Sequence, residues 1–187
     1  DEKMTKKAFE SATYEDKSMG IVGAGTGATV AKALGPAYLM KSGLGQASIK
    51  KGDLVVSAIV AVNAFGDIFD YHKGIQIAGP MKDGRMLKTI DLIDKILGSF
   101  ADIKPSNTTI GAVATNGTFT KTELTKIAGM AHDGYARSIN PVHTLFDGDT
   151  IFSLATNKVK ANINLVGALS AEAMSMAIAN AIYKSQE

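Results

Sequence analysis

Along the chain, segments whose apolar positions recur at helical spacing alternate with segments that are apolar almost without a break. Glu2 to Ser18 sets Met4, Ala8 and Ala12 on one face among charges, which predicts a polar amphipathic helix. Ile21 to Gly27 is a short apolar entry into a glycine-rich turn, and Ala28 to Leu34 predicts a helix stopped by Gly35-Pro36. Asp53 to Asn63 carries Leu54, Val55, Val56, Ile59, Val60 and Val62, the pattern of a central strand covered on both faces. Gly74 to Gly79 predicts a further short strand, after which Leu87, Ile90, Ile93 and Leu97 repeat at helical spacing up to Gly98.

The second half is punctuated more sharply. Thr109 to Ala114 predicts a short buried strand, and Thr120 followed by Glu123 is a capping box that opens a helix. The apolar stripe of that helix is Leu124, Ile127, Ala131 and Tyr135, and its stop is expected at Asn140-Pro141, because the residue before a proline is driven out of helical geometry. Asp149 to Thr156 predicts another strand. Ala161 to Tyr183 predicts an Ala- and Met-rich helix whose small side chains allow close approach to a sheet or a second helix. Strands and helices in alternation argue for an α/β or α+β fold. With no repeat or interdomain linker, residues 1–187 are expected to form one domain.

Composition narrows the function classes. Net charge is +2, with Lys interspersed among Asp and Glu, so no basic face for nucleic acid stands out. The chain has no Cys, which removes disulfides, thiolate metal sites and a cysteine nucleophile. Neither an apolar stretch of about 18 residues nor a signal segment is apparent, so a cytoplasmic protein with no membrane partner is expected. The chain begins at Asp1 with a helical pattern already under way, which suggests that something upstream is absent.

Candidate chemistry gathers in four places. Ser106-Asn107-Thr108-Thr109 puts hydroxyl residues at the mouth of an apolar strand, after the Pro105-containing loop from Ser99 to Asn107. Cutting Asn107-Thr108 would give Thr108 a free α-amine able to take its hydroxyl proton; the same run also reads as a turn satisfied by its own side chains. Asp147-Gly148-Asp149 places two carboxylates just before a strand, where they could tune a neighbouring pKa or stand merely solvated. Gly23-Ala24-Gly25-Thr26-Gly27-Ala28 superficially fits a dinucleotide fingerprint, but no acidic residue follows about 20 positions on. Asn63 ends the central strand, where its amide could serve an oxyanion or cap its own turn. His72, His132 and His143 form no recognisable metal-ligand pattern, and no cofactor is expected.

In order, GAGTGATVAK, KSGLGQAS, AVNAFGD, NTTIGAVATN and MAHDGYARSINPVHTLFDGDTIFSLAT resemble the self-processing P1-type peptidases. That family includes L-aminopeptidase/D-esterases, β-peptidyl aminopeptidases and the endo-type 6-aminohexanoate-oligomer (nylon) hydrolases. The resemblance implies an α+β fold, the four-layer αββα sandwich of an N-terminal-nucleophile hydrolase, incomplete here because the family's N-terminal region has no counterpart in the chain. It also implies autocatalytic cleavage into 1–107 and 108–187, with Thr108 as nucleophile. Lys32 would then assist proton transfer, with Lys41 as the competing assignment, and Asn63 would position the nucleophile or polarise the carbonyl. Asp147 and Asp149 would form a carboxylate network around the lysine and the new amine. Small peptides or other linear amides are the implied substrates, and a homo-oligomer of cleaved heterodimers, with the missing N-terminal segment or a partner chain, is the implied assembly. An acyltransferase of the ornithine-acetyltransferase type and a non-catalytic scaffold are the alternatives.

Overall fold

The computed structural model describes residues 2–13, 15–94 and 107–187. In chain order its elements are helix α1 (Glu2–Glu10), strands β1 (Thr29–Val30), β2 (Met40–Lys41), β3 (Leu44–Lys51), β4 (Leu54–Ala61), β5 (Asp67–Asp70), β6 (Ile75–Ala78), β7 (Met81–Lys82), β8 (Arg85–Met86) and β9 (Ile110–Gly117), helix α2 (Lys121–Ser138), strands β10 (Ile139–Asn140) and β11 (Thr150–Val159), and helix α3 (Ile163–Ser185). The main sheet runs β11-β9-β4-β3. β3 and β4 form a tight hairpin in which Lys51 faces Leu54, and Gly52 takes the left-handed φ of 58° that the two-residue turn requires. β4 and β9 are antiparallel, whereas β9 and β11 are parallel, an arrangement that needs a crossover, which α2 supplies.

Alternation along the strands decides where the core lies. Val56, Ala58 and Val60 of β4, Val113 of β9 and Ile151 of β11 are buried on the face that α2 and α3 cover. α3 contributes Met174, Ala177, Ile178, Ala181 and Ile182, all fully buried. It can lie this close to β3 because position 45 is glycine: a Cβ there would collide with the Ala177 backbone carbonyl. α2 is started by the expected capping box, with the Thr120 hydroxyl accepting from the Glu123 amide and the Glu123 carboxylate accepting from the Thr120 amide.

The opposite face of the sheet is open. Ile59, Ala112 and Phe152 stand side by side across β4, β9 and β11, and Ile59 and Phe152 are 40% and 61% exposed. The expectation that β4 is covered on both faces therefore holds for one face of this chain only.

Other expectations are corrected as well. The first helix ends at Glu10 rather than Ser18, and none of its residues is buried. Ala28–Leu34 is not an α-helix but β1 followed by a single 3-10 turn at Lys32–Leu34, because Ala31 adopts a left-handed φ of 59°. α2 stops at Ser138, where Ile139 and Asn140 leave to pair with β5, before the proline acts. Of the helix expected from Leu87 to Leu97, Thr89–Leu92 forms a 3-10 turn, and its end, like the loop from Ser99 to Ser106, lies outside the described residues. α3 is long and apolar enough to cross a membrane by length and composition, contrary to the expectation that no such stretch exists; 72% of that apolar window is buried inside the fold, which is the setting of a core helix.

Candidate active site

The glycine-rich segment and the turn after it are tied to the end of β4 through the backbone. The amides of Ala31 and Lys32 donate to the carbonyls of Gly66 and Phe65, each at 3.0 Å. These two bonds hold Ala31 in its left-handed conformation and bring Lys32 under Asn63. Lys32 Nζ donates to Asn63 Oδ1 at 2.7 Å, and the Thr29 amide donates to the same oxygen at 3.3 Å. Asn63 Oδ1 is thus engaged twice, which fixes that atom as the accepting end of the amide. Burial pushes the Lys32 ammonium down to about 8, and the Asp147 charge opposes that shift. Lys41 instead stands exposed on β2.

Asn107 and Thr108 enter β9 beside the Asp147-Gly148-Asp149 turn, which enters the neighbouring β11. Asn107 bridges Asp147 in parallel register, and the Gly148 amide donates to the Asn107 carbonyl at 2.9 Å. That carbonyl belongs to the Asn107–Thr108 peptide bond. A Cβ on Gly148 would stand 2.7 Å from Thr108 Oγ1, so only glycine lets this backbone come so near the hydroxyl.

The two carboxylates divide their work. Asp147 Oδ2 accepts from the amide of Thr144 at 3.0 Å and from its hydroxyl at 2.7 Å, closing its own turn, and acts on Lys32 through space. Asp149 Oδ1 accepts from the Thr109 amide at 3.0 Å, and its Oδ2 lies 2.8 Å from His143 Nδ1. In the uncut chain the two carboxylates hold different partners, and Asp147 is the one whose charge acts on the lysine. Tyr135, fully buried on α2, donates to the Thr109 carbonyl at 3.4 Å; burial, then the Asp149 charge, pushes its phenol up.

Two cavities meet at these residues. One, of about 480 Å³, lies on the open face of the sheet and is lined by Ala28, Ile59, Asn63, Thr108, Ala112 and Phe152 among others. The second, of about 430 Å³, is lined by Thr29, Lys32, Pro36, Asn63, Phe65 and Asn107 among others. Asn63 borders both, and the Asn107–Thr108 bond joins the two. The structure therefore brings Lys32, Asn63, Asn107 and Thr108 to one place, with Asp147 and Asp149 behind the last two. Sequence reasoning passed over Gly148, His143, His132 and Thr144. Only the Asp-Gly-Asp spacing hinted at Gly148, and nothing local in sequence joins His132 to His143. Among the described residues no His, Asp and Glu group could hold a metal ion.

Comparison with known proteins gives the family and the fold. The model of peptidase family S58 matches residues 1–187. An uncharacterized aminopeptidase of Mycobacterium leprae is 38% identical over 149 residues, 77% of this chain and 39% of that protein. A 6-aminohexanoate-oligomer endohydrolase of a Kocuria species is 29% identical over 192 residues, 93% of this chain and 53% of that protein. Among solved structures, the L-aminopeptidase D-Ala-esterase/amidase of Ochrobactrum anthropi, described as a variant of the Ntn-hydrolase fold, superposes with a TM-score of 0.66 at 16% identity, over 96% of this chain and 48% of its own. The β-aminopeptidase of a Burkholderia species gives 0.62 at 20% identity, over 94% and 49%. The chain thus spans 39% to 53% of the length of these relatives, and its α+β layers are part of that hydrolase fold. Matched by the family model from its first residue to its last, the chain belongs to peptidase family S58.

Proposed function

We propose that this chain is the self-processing part of an amide hydrolase in which Thr108, freed by cleavage after Asn107, is the nucleophile. The observation that carries the reading is the Gly148 amide on the Asn107 carbonyl, at a glycine where an added Cβ would meet the Thr108 hydroxyl. In the first step Thr108 Oγ1 attacks the Asn107 carbonyl carbon and the carbonyl oxygen becomes an oxyanion, toward which the Gly148 N–H is already aimed. The peptide C–N bond breaks, its nitrogen takes a proton and becomes the α-amine of Thr108, and an Asn107–Thr108 ester remains. Water then hydrolyses the ester to a carboxylate on Asn107 and a free hydroxyl on Thr108.

Lys32 suits the proton transfers because burial leaves its amine titrating at about 8, near the working range of a general base. After cleavage the α-amine of Thr108, with an unperturbed pKa of about 7.7 to 8.0, takes the hydroxyl proton in turnover. Attack on a substrate amide forms an acyl-Thr108 ester and releases the amine product, and water frees the acid. Asn63, which borders both cavities, would position the nucleophile or polarise the substrate carbonyl. The apolar lining on the open face suits an uncharged chain, so small peptides, amino-acid amides and ω-amino-acid oligomers are the substrate classes. The relatives described above are named as aminopeptidases, an esterase/amidase and a 6-aminohexanoate-oligomer endohydrolase, which does not favour the acyltransferase reading. In the working protein, 1–107 and 108–187 stay together, joined by the region of the relatives that this chain does not span and assembled as a homo-oligomer.

Mass analysis of the purified chain beside Thr108→Ala tests this. Wild type is expected as two pieces spanning 1–107 and 108–187, and Thr108→Ala as one intact chain. Folded wild type that stays whole overturns the proposal.

A further inference from the structure

Asp149 is 4% exposed, and each of its oxygens has its own partner. Oδ1 holds the Thr109 amide, the first amide after the nucleophile, and Oδ2 holds His143 Nδ1. The far nitrogen of His143, Nε2, lies 3.3 Å from His132 Nδ1 on α2, and the two rings meet edge-on with centroids 4.9 Å apart. His143 is 39% exposed, so a continuous row of groups runs from the backbone beside Thr108 toward the surface. The cleavage chemistry above leaves both histidines without a role. A carboxylate this buried is costly unless both oxygens are occupied.

We propose that His143 is a positioning residue for Thr108: its Nδ1–H steadies Asp149 so that the other oxygen keeps the Thr109 amide, and with it the start of β9, in place, while His132 sets the ring of His143. The inference rests on Thr108 being the nucleophile. Ionised Asp149 can only accept, so His143 carries its proton on Nδ1. Neutral His143 then offers Nε2 as an acceptor, which the Nδ1–H of His132 fills. The groups facing the pair are Asp149, just before β11, and Asp133 and Tyr135 on α2. Burial and then the His143 charge hold His132 below the ordinary imidazole range, with Asp149 and Asp133 opposing. The Tyr135 ring lies 5.3 Å from that of His132 and 6.0 Å from that of His143.

The backbone at His143 has a φ of 54°, which Asn and Gly both accept. His143→Asn retains an N–H near the place of Nδ1, and His143→Gly retains the backbone without the donor. Self-cleavage is expected to slow about tenfold or more in His143→Gly, the scale of a lost hydrogen bond to a charged group. His143→Asn should recover most of that rate, and amide hydrogen exchange at Thr109 should be faster in the Gly variant than in the Asn variant. Equal cleavage in the Asn and Gly variants at matched thermal stability, or equal Thr109 exchange in them, overturns the proposal. Folded wild type that remains one chain overturns instead the reading of Thr108, and Thr109 exchange then decides the His143 contact by itself: equal exchange in the two variants rejects it, faster exchange in Gly supports it.

Discussion

At position 32 a half-buried lysine has one neutral acceptor, Asn63 Oδ1 at 2.7 Å, and one carboxylate, Asp147, acting on it from a distance. The folded chain holds this proton less tightly than the unfolded chain, whose lysine titrates near 10.5. Between pH 8 and 10.5 the unfolded state therefore binds more protons, and the stability contribution of Lys32 rises with pH through that window; below pH 8 the full penalty for burying the charge applies. Lys32→Met fills the same space without a charge and leaves Asn63 Oδ1 its bond from the Thr29 amide. That variant should melt no lower than wild type at pH 7, with its advantage shrinking as pH rises past 8. Its self-cleavage should be slower by about a hundredfold or more, the scale of a lost general base. A lower melting temperature at pH 7 would show that Lys32 stabilises the fold; an undiminished cleavage rate would remove it from the chemistry. Asn63 was legible as a candidate because it ends the apolar run of β4, and Lys32 through the family resemblance alone. Gly148, His143 and His132 were not, because their partners are met only when the end of α2 and the turn before β11 close on Asn107 and Thr109.

Among the elements, glycine has opposite meanings in β3 and in α2. A Cβ on Gly45 has nowhere to go except into the Ala177 backbone, whereas Gly129 lies on the exposed side of α2 with nothing within 4 Å. Gly45→Ala should destabilise by about 2 kcal/mol or more through forced separation of α3 from the sheet. Gly129→Ala should stabilise by about 0.5 to 1 kcal/mol through helix propensity. Urea midpoints for the two single variants check both signs. β4, β9, β11, α2 and α3 could be read from the sequence because their apolar runs and the Thr120–Glu123 cap agree with the tertiary structure. The helix expected at Ala28–Leu34 failed because Ala31 and Lys32 give their amides to Gly66 and Phe65, bonds that no local pattern announces. β3 escaped notice because it is an edge strand whose positions Gln46, Ser48 and Lys50 break the apolar pattern.

For the molecule as a whole, the Asn107–Thr108 bond lies between elements that the fold has already interlocked. β4, from the first piece, pairs along six residues with β9, from the second, and α3 of the second packs under β3 and β4 of the first. The cleaved pieces should therefore elute together from a sizing column and separate only in denaturant. Separation in native buffer would mean that the junction itself holds the halves together. The place of the bond also gives the proposed reaction a direction. While the peptide is whole, a neutral carbonyl sits in a β-bridge on the Gly148 amide. Hydrolysis would exchange it for a carboxylate on Asn107, a charge that water solvates better than the mouth of a strand does. Religation would have to strip that water away again, so the cut would act as a ratchet that opens the site once and does not close it.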